Sequence, residues 1–279
     1  MLDFPVNGPI VSVRLRVNAA LSWLGLRLLG VRQQQIVVCG FPRGGTSLLY
    51  NMISSCLPEF HCEPFEQYFI YRIHRLGNYA TKAPLDVLHV PWIDGLNINR
   101  KELAVLVVVR DIRDVLTSRH PVLPNEYFIG HDHSWWPQDK TFKKWHYDAP
   151  GVIHIYEAVR AIRTRSDTTI VRYEDLVADP NAVQRTLAEL YGLRFDGDFQ
   201  QFHERPERHA YKYEGRFAPV DASLVRESLQ STTERVARWR KRPEDVQRII
   251  AQFSQCEMLF TILEEFGYEV DREWFQNLD

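Results

Sequence analysis

The chain has 279 residues, 45% of them apolar and 25% charged. These values allow a sizeable core and exclude collagen-like, low-complexity and globally disordered classes. Lysine and arginine total 34 against 36 acids, a net charge of −2, which excludes a general nucleic-acid coat and requires any anionic ligand to be met by a local positive cluster.

Val17–Val31 is the most apolar stretch. It falls short of the roughly 18 residues a spanning helix needs, contains Asn18 and Arg27, and lacks a clear small-residue cleavage site. An N-terminal helical extension over residues 1–34 is expected, with an amphipathic helix packed on the domain; a membrane-surface anchor through 17–31 is the alternative. With neither a span nor a leader in view, a cytoplasmic location is expected. The four cysteines, Cys39, Cys56, Cys62 and Cys256, are too few for a disulfide scaffold and form no zinc-type pair. Reduced thiols are expected, with Cys56 to Cys62 a bridge that remains open.

Ile36–Cys39 is a short apolar run ending at Gly40 and reads as a buried strand. A glycine-rich turn follows, and Leu48, Leu49, Met52, Ile53, Cys56 and Leu57 then recur at helical spacing. Leu103–Val109 is a continuous β-branched run of the kind found in central parallel strands, and Val115–Arg119 is expected to continue as helix. Arg119 to Gly151 is rich in proline, tryptophan and histidine without a clean period; it reads as a long excursion over the sheet edge, a candidate acceptor-binding lid. Val152, Ile155, Tyr156, Val159 and Ile162 share a helical face, and Thr168–Tyr173 reads as a third strand. Asp179-Pro180 opens another helix. Asp196 to Ser231 is polar and irregular, and Pro243 starts a final helix that stops at Gly267. The alternation predicts an α/β fold: three layers, with a central, mostly parallel sheet flanked by helices, in a single domain over 35–279.

The sharpest feature is Gly40-Phe-Pro-Arg-Gly-Gly-Thr-Ser47. Gly40 and Gly45 have the GxxxxG spacing of a P-loop, between a strand and a helix, where backbone N–H groups bind phosphate. Thr46 stands where a Walker loop has lysine, and the loop's only cation is Arg43. This argues against a nucleoside triphosphate. A second segment, Val109 to Arg119, places Arg110 at a strand end and Ser118 shortly after, which suits a second anionic group. Asp111 keeps a metal reading open. Arg113 and Asp114 by themselves read as a solvated pair.

Together these segments resemble the sulfotransferases that use 3′-phosphoadenosine 5′-phosphosulfate. Pro42–Ser47 is similar to the family's 5′-phosphosulfate loop. Arg110 and Ser118 match its 3′-phosphate segment, with Ile112 in place of the usual proline. Tyr173-Glu-Asp-Leu176, Arg238-Trp239 and Phe266-Gly-Tyr268 resemble further family segments. The arginine form of the loop, Glu63-Pro64 and Thr81-Lys82-Ala83-Pro84 lean towards the carbohydrate and tyrosylprotein branches.

The resemblance implies transfer of a sulfuryl group to an acceptor hydroxyl, with a saccharide the acceptor suggested. Adenosine 3′,5′-bisphosphate is the product and no metal is required. Arg43 would neutralise the leaving phosphate, and Gly44, Gly45, Thr46 and Ser47 would hold its oxygens. Arg110 and Ser118 would bind the 3′-phosphate. Tyr173 joins the nucleotide-binding set, as do Ser223 and Arg238, which would close over the nucleotide. Glu63 is the expected base if burial raises its pKa, with Glu66 in reserve, and the rival roles for Glu63 are a solvated loop acid or a structural partner of Lys82. Lys82 would stabilise sulfuryl oxygens or serve as a surface lysine. His120, His131, His133 and His146 lack a completing cysteine or paired carboxylate, so no metal site is expected. Trp135, Trp136, Trp145 and Tyr147 would either stack on sugar rings or pin the excursion. Two rival functions stay open: a nucleotide kinase-like phosphotransferase, and an inactive adenosine-phosphate-binding module.

Overall fold

Two strands carry the centre of the fold, Gln34–Gly40 (β1) and Glu102–Val109 (β4). Both are apolar and β-branched, and their interiors are buried on both faces, as parallel strands covered by helices must be. The computed structural model describes residues 32–119, 128–135, 148–208 and 236–278. His61–Cys62 (β2), Tyr79–Lys82 (β3) and Thr168–Arg172 (β8) complete a sheet of order β2-β3-β1-β4-β8. Every neighbouring pair in it is parallel. Val38 lies opposite Lys82 on one side and Leu106 on the other.

The helices that flank the sheet include Thr46–Cys56 (α1), Ile112–Leu116 (α2), Val152–Ile162 (α3), Tyr173–Ala178 (α4), Pro180–Tyr191 (α5), Pro243–Gln255 (α6) and Met258–Glu265 (α7). Alternate residues of β1 decide which helices cover which face. Ile36 and Val38 pack with α1, α4 and α5, whereas Val37 and Cys39 pack with α3, α6 and α7. The result is the expected three-layer α/β architecture. Helix α3 buries Val152, Ile155, Tyr156, Val159 and Ile162, the residues its periodicity marks. Asp179 caps α5 by accepting from Ala182 N at 2.9 Å.

Several sequence expectations need correction. The strand expected over 168–173 ends at Arg172, and Tyr173 opens α4. The helix after β4 spans Ile112–Leu116 rather than Val115–Arg119, because Asp111 caps it directly after the strand. The single final helix is two: Cys256 is extended (φ −145°, ψ 102°), and α7 restarts beyond it with its stripe on the same core. The excursion contains order, Phe128–Ile129 (β5), His133–Trp135 (β6) and Asp148–Pro150 (β7), which form a small antiparallel sheet. The 17–31 helix lies outside the described residues. All four cysteines are free thiols, and among the described residues no helix is long and apolar enough to cross a membrane.

Lys101 precedes β4, at the sheet edge opposite the strand ends that carry the glycine loop. It is 4% exposed, its Nζ has no hydrogen-bond partner among the described residues, and it lies 4.6 Å from the centre of the Tyr79 ring. Burial pulls its pKa down to about 7. The folded state therefore binds fewer protons than the unfolded chain between about pH 7 and 10, and stability contributed by this site rises across that window. Lys101→Met should stabilise the protein at pH 7 by roughly 1–3 kcal/mol, and the gain should shrink towards pH 10. Urea titrations at both pH values check this; a gain independent of pH would remove the ammonium charge as its cause.

Candidate active site

Parallel strands deliver their C-terminal ends to one edge of a sheet, where open α/β folds bind ligands. Here β1 runs into the Phe41–Gly45 turn, and Gly44 N donates to Phe41 O at 2.9 Å. Arg43 and Gly45 take left-handed backbones, φ 61° and 105°. No side chain caps α1 and no acid occupies its first turn. Its leading N–H groups, which have no acceptor within the helix, and its dipole are thus free of internal anionic competition. A Cβ on Gly45 would lie 2.5 Å from Tyr173 Cδ2, so the ring of Tyr173 packs directly on the loop backbone. Gly45→Ala should cost roughly 1–3 kcal/mol of stability and weaken anion binding. Unchanged thermal unfolding would show that Tyr173 moves aside freely.

The second wall comes from the end of β4. Asp111 accepts from Arg113 N at 2.9 Å and starts α2. Arg110 lies with its guanidinium carbon 4.3 Å from the centre of the Tyr173 ring, and its Nη2 donates to Asp114 Oδ2 at 3.2 Å. Arg110 Nη1 reaches Arg43 O at 3.4 Å. Arg43 Nε donates to Ser118 Oγ at 3.1 Å, and its Nη2 reaches Arg119 O at 3.4 Å. Two segments far apart in sequence are in direct contact through a cation and a hydroxyl. Such a cationic edge built on a helix start suits a ligand with two separated phosphate-type groups.

The family model of the sulfotransferase domain matches residues 33–216, more than half of the chain. The chain belongs to the sulfotransferase domain family. Among solved structures it is similar to mouse sulfotransferase SULT7A1 complexed with PAP, at 12% identity and a TM-score of 0.45, over 84% of this chain and 88% of that one. No curated protein matches it.

In this sulfotransferase domain Arg43, Gly44, Gly45, Thr46, Ser47, Arg110, Ser118 and Tyr173 gather at one edge. Tyr173 is buried under the loop, and its neighbour Glu174 accepts from Asp111 N at 3.2 Å and from Tyr268 Oη at 2.8 Å. The Tyr-Glu-Asp-Leu and Phe-Gly-Tyr segments thus brace the glycine-loop edge from behind. Arg238 sits on a turn bonded to Asp114 through its two neighbours, Ala237 and Trp239. Ser223, His120, His146, Trp136, Trp145 and Tyr147 lie outside the described residues.

Glu63 and Lys82 belong to the β2–β3 side. Lys82 ends β3 and is buried, and its Nζ donates to Glu66 Oε1 at 2.5 Å. Glu63 is buried too, but its ionic partner is Arg72 rather than Lys82. Burial raises the Glu63 carboxyl, yet the hydrogen bond and charge of Arg72, with the charges of His61 and Arg75, more than offset this and hold it below the ordinary carboxylate value. The loop that carries both glutamates is fastened twice: Gln67 N donates to Lys82 O at 3.0 Å and Phe69 N to Asp86 Oδ2 at 2.9 Å. Tyr50 Oη, on α1, meets both Glu63 O and Ala80 O at 3.0 Å.

Arg113 and Asp114 are not a solvated pair. Both are buried, with Arg113 joined to Asp111 and Glu269 and Asp114 to Arg110 and the backbone at 237–239. Asp111 accepts from Arg113 N, where it caps the helix, and from the Arg113 guanidinium. Among the described residues no group of three or more His, Cys, Asp or Glu is placed to hold a metal; His131 faces Gln252 and His133 faces Asp132. Arg72 and Asp86 escaped sequence reasoning because neither falls in a motif. The Asp114 contact to Arg110 was open to it, since the two are four apart on a chain entering a helix.

Proposed function

We propose that this chain transfers a sulfuryl group from 3′-phosphoadenosine 5′-phosphosulfate to an acceptor hydroxyl, and we favour a saccharide acceptor. The observation that carries this reading is the 3.1 Å bond from Arg43 Nε to Ser118 Oγ, which sets the loop suited to a 5′-phosphosulfate beside the segment suited to a 3′-phosphate. The glycine loop fits the donor: it presents an uncapped helix start and one arginine, with no lysine for a triphosphate. Thr46 and Ser47 follow as donors to phosphate oxygens. Family membership supports the chemistry, and Glu63-Pro64 with the arginine form of the loop supports the branch.

In the reaction the acceptor oxygen bonds to sulfur while the bond from sulfur to the bridging phosphate oxygen breaks. Arg43 stabilises the charge that collects on the departing phosphate. Glu63 takes the hydroxyl proton, although the hydrogen bond and charge of Arg72 hold its pKa down and so weaken it as a base while that pair is closed. Lys82, aimed by Glu66, supplies positive charge to the sulfuryl oxygens.

Adenosine 3′,5′-bisphosphate should bind more tightly than 5′-AMP by about 1.5–3 kcal/mol, the worth of a charge-assisted contact at Arg110 and Ser118. Calorimetry with and without EDTA checks this. Equal affinities would sink the donor assignment, and a strict Mg²⁺ requirement would favour a kinase-like reaction. Arg43→Ala should lower turnover more than it weakens binding of the bisphosphate; sulfate-transfer assays on a panel of saccharides and tyrosyl peptides supply the turnover.

Glu63→Gln should reduce turnover by about 10²–10⁴ and leave nucleotide affinity nearly unchanged. Glu66→Gln should do much less. An inactive Glu66→Gln beside an active Glu63→Gln would exchange their roles.

A further inference from the structure

Asp86 lies in the short turn Pro84–Leu88 that follows β3, and it is fully enclosed. A carboxylate at this depth must find its partners within the fold. Asp86 Oδ2 accepts from Phe69 N at 2.9 Å, and Oδ1 faces His89 Nδ1 at 3.3 Å. Burial pushes its carboxyl up to about 6, against the pull of those two contacts, and Glu66 adds to the rise. On β1, burial and then Asp86 raise the enclosed Cys39 thiol. Asp86 takes no part in the bond changes at sulfur.

Phe69 joins this anchor to the segment that carries Glu63. It opens the turn Phe69–Tyr71, and its ring is buried in the same core as Val87 and Ile73. Its N–H goes to Asp86, and its carbonyl accepts from Arg72 N at 2.8 Å and Ile73 N at 2.9 Å. A single residue therefore links Asp86 to the backbone of Arg72. The Arg72 side chain turns back nine residues and bonds the Glu63 carboxylate through Nε. Glu63 is also faced by His61, with Nε2 3.5 Å from Oε1, and by the charge of Arg75. Tyr50 of α1 meets its backbone oxygen, and Lys82 of β3 pairs with Glu66. Burial raises the Glu63 carboxyl, and the bond and charge of Arg72 are the foremost influences holding it down.

We propose that Asp86 is a positioning residue: by holding the N–H of Phe69 it fixes the turn that delivers Arg72 to Glu63. Its bearing on turnover rests on the reading that Glu63 accepts the hydroxyl proton. Being fully enclosed, Asp86 acts through Phe69 and Arg72. Removing it has two effects of different sign. Loss of its negative charge lowers the Glu63 titration midpoint or leaves it, whereas loss of the tether frees Arg72 and raises the midpoint. The direction of the change thus separates a tether from an effect through space. Below about pH 6 the protonated acid still presents one oxygen to Phe69 N, so the tether survives the titration.

The test follows the Glu63 side-chain carboxyl by ¹³C NMR across pH on the full chain, its signal assigned by loss in Glu63→Gln. Asp86→Leu keeps the branched shape and removes both acceptors, whereas Asp86→Asn keeps one oxygen for Phe69 N. Asp86→Leu should raise the midpoint by about one pH unit or more. Asp86→Asn should not raise it, and Asp86→Leu should add little once Arg72→Gln is present. An unchanged or lowered midpoint in Asp86→Leu, a rise in Asp86→Asn, or an equal rise with Arg72 already replaced overturns the tether. Turnover of Asp86→Leu should fall about tenfold or more, with bisphosphate affinity changed less than about twofold, and Asp86→Asn should keep most of the activity. A raised midpoint with undiminished turnover upholds the tether and overturns Glu63 as proton acceptor, so the two failures are distinct. Should Asp86→Leu not fold, hydrogen exchange in the wild type decides. The Phe69 amide and the Arg72 Nε–H should open together, with protection within about threefold; an Arg72 Nε–H that stays protected while the Phe69 amide exchanges freely overturns the tether.

Discussion

Five strands running the same way place the ends of β1, β3, β4 and β8 at one edge, and the register between them sets which residues meet. Val38 opposite Lys82 and Gly40 opposite Val108 bring the glycine loop level with a lysine on one side and with Arg110 on the other. These residues are dozens of positions apart in the sequence, and the strand register brings them to one level. The apolar cores on both faces keep that register, because a one-residue slip would exchange the residues facing α1 for those facing α3.

On this scaffold the positive charges are arranged by depth. Arg43 is partly exposed, and among the described residues its side chain bonds a hydroxyl and one carbonyl. Arg110 is buried and bonded to a carboxylate. Arg113, deepest of the three, is fully enclosed by two carboxylates and two indole rings. The gradient separates a cation available to a ligand from one already balanced inside the fold. It also explains how a chain of nearly neutral overall charge presents a locally cationic edge.

Much of this was legible in the sequence, for identifiable reasons. β1 and β4 are long apolar runs next to glycine or arginine, and α3 shows clean 3.6-residue periodicity, so their positions follow from burial alone. The loop and Arg110–Ser118 were legible because phosphate recognition is local, carried by a turn and the helix after it. The short strands β2 and β3 were not, because two or four residues with mixed polarity carry no period and form only by pairing with β1. The Glu63–Arg72 pair and the Asp114 contacts at 237–239 were hidden for a related reason. Hydrogen bonds between distant segments leave no spacing signal, and the eventual partner of a charged residue is decided by tertiary geometry.

Tyr50 has a consequence of its own. It lies in the second turn of α1, whose first residues follow the glycine loop, and its hydroxyl meets the backbone oxygens of Glu63 and Ala80. Burial first, and the nearby Cys62 and Glu63, push its pKa far up, so it stays protonated and able to donate. Helix α1 therefore works as a ruler. A helix rises about 1.5 Å per residue, and the few residues from Thr46 to Tyr50 set a fixed offset between the loop and the backbone of Glu63. A displacement of the loop is carried along this rigid element to the backbone that follows β2, and the spacing between the glycine loop and Glu63 becomes a property of helical pitch.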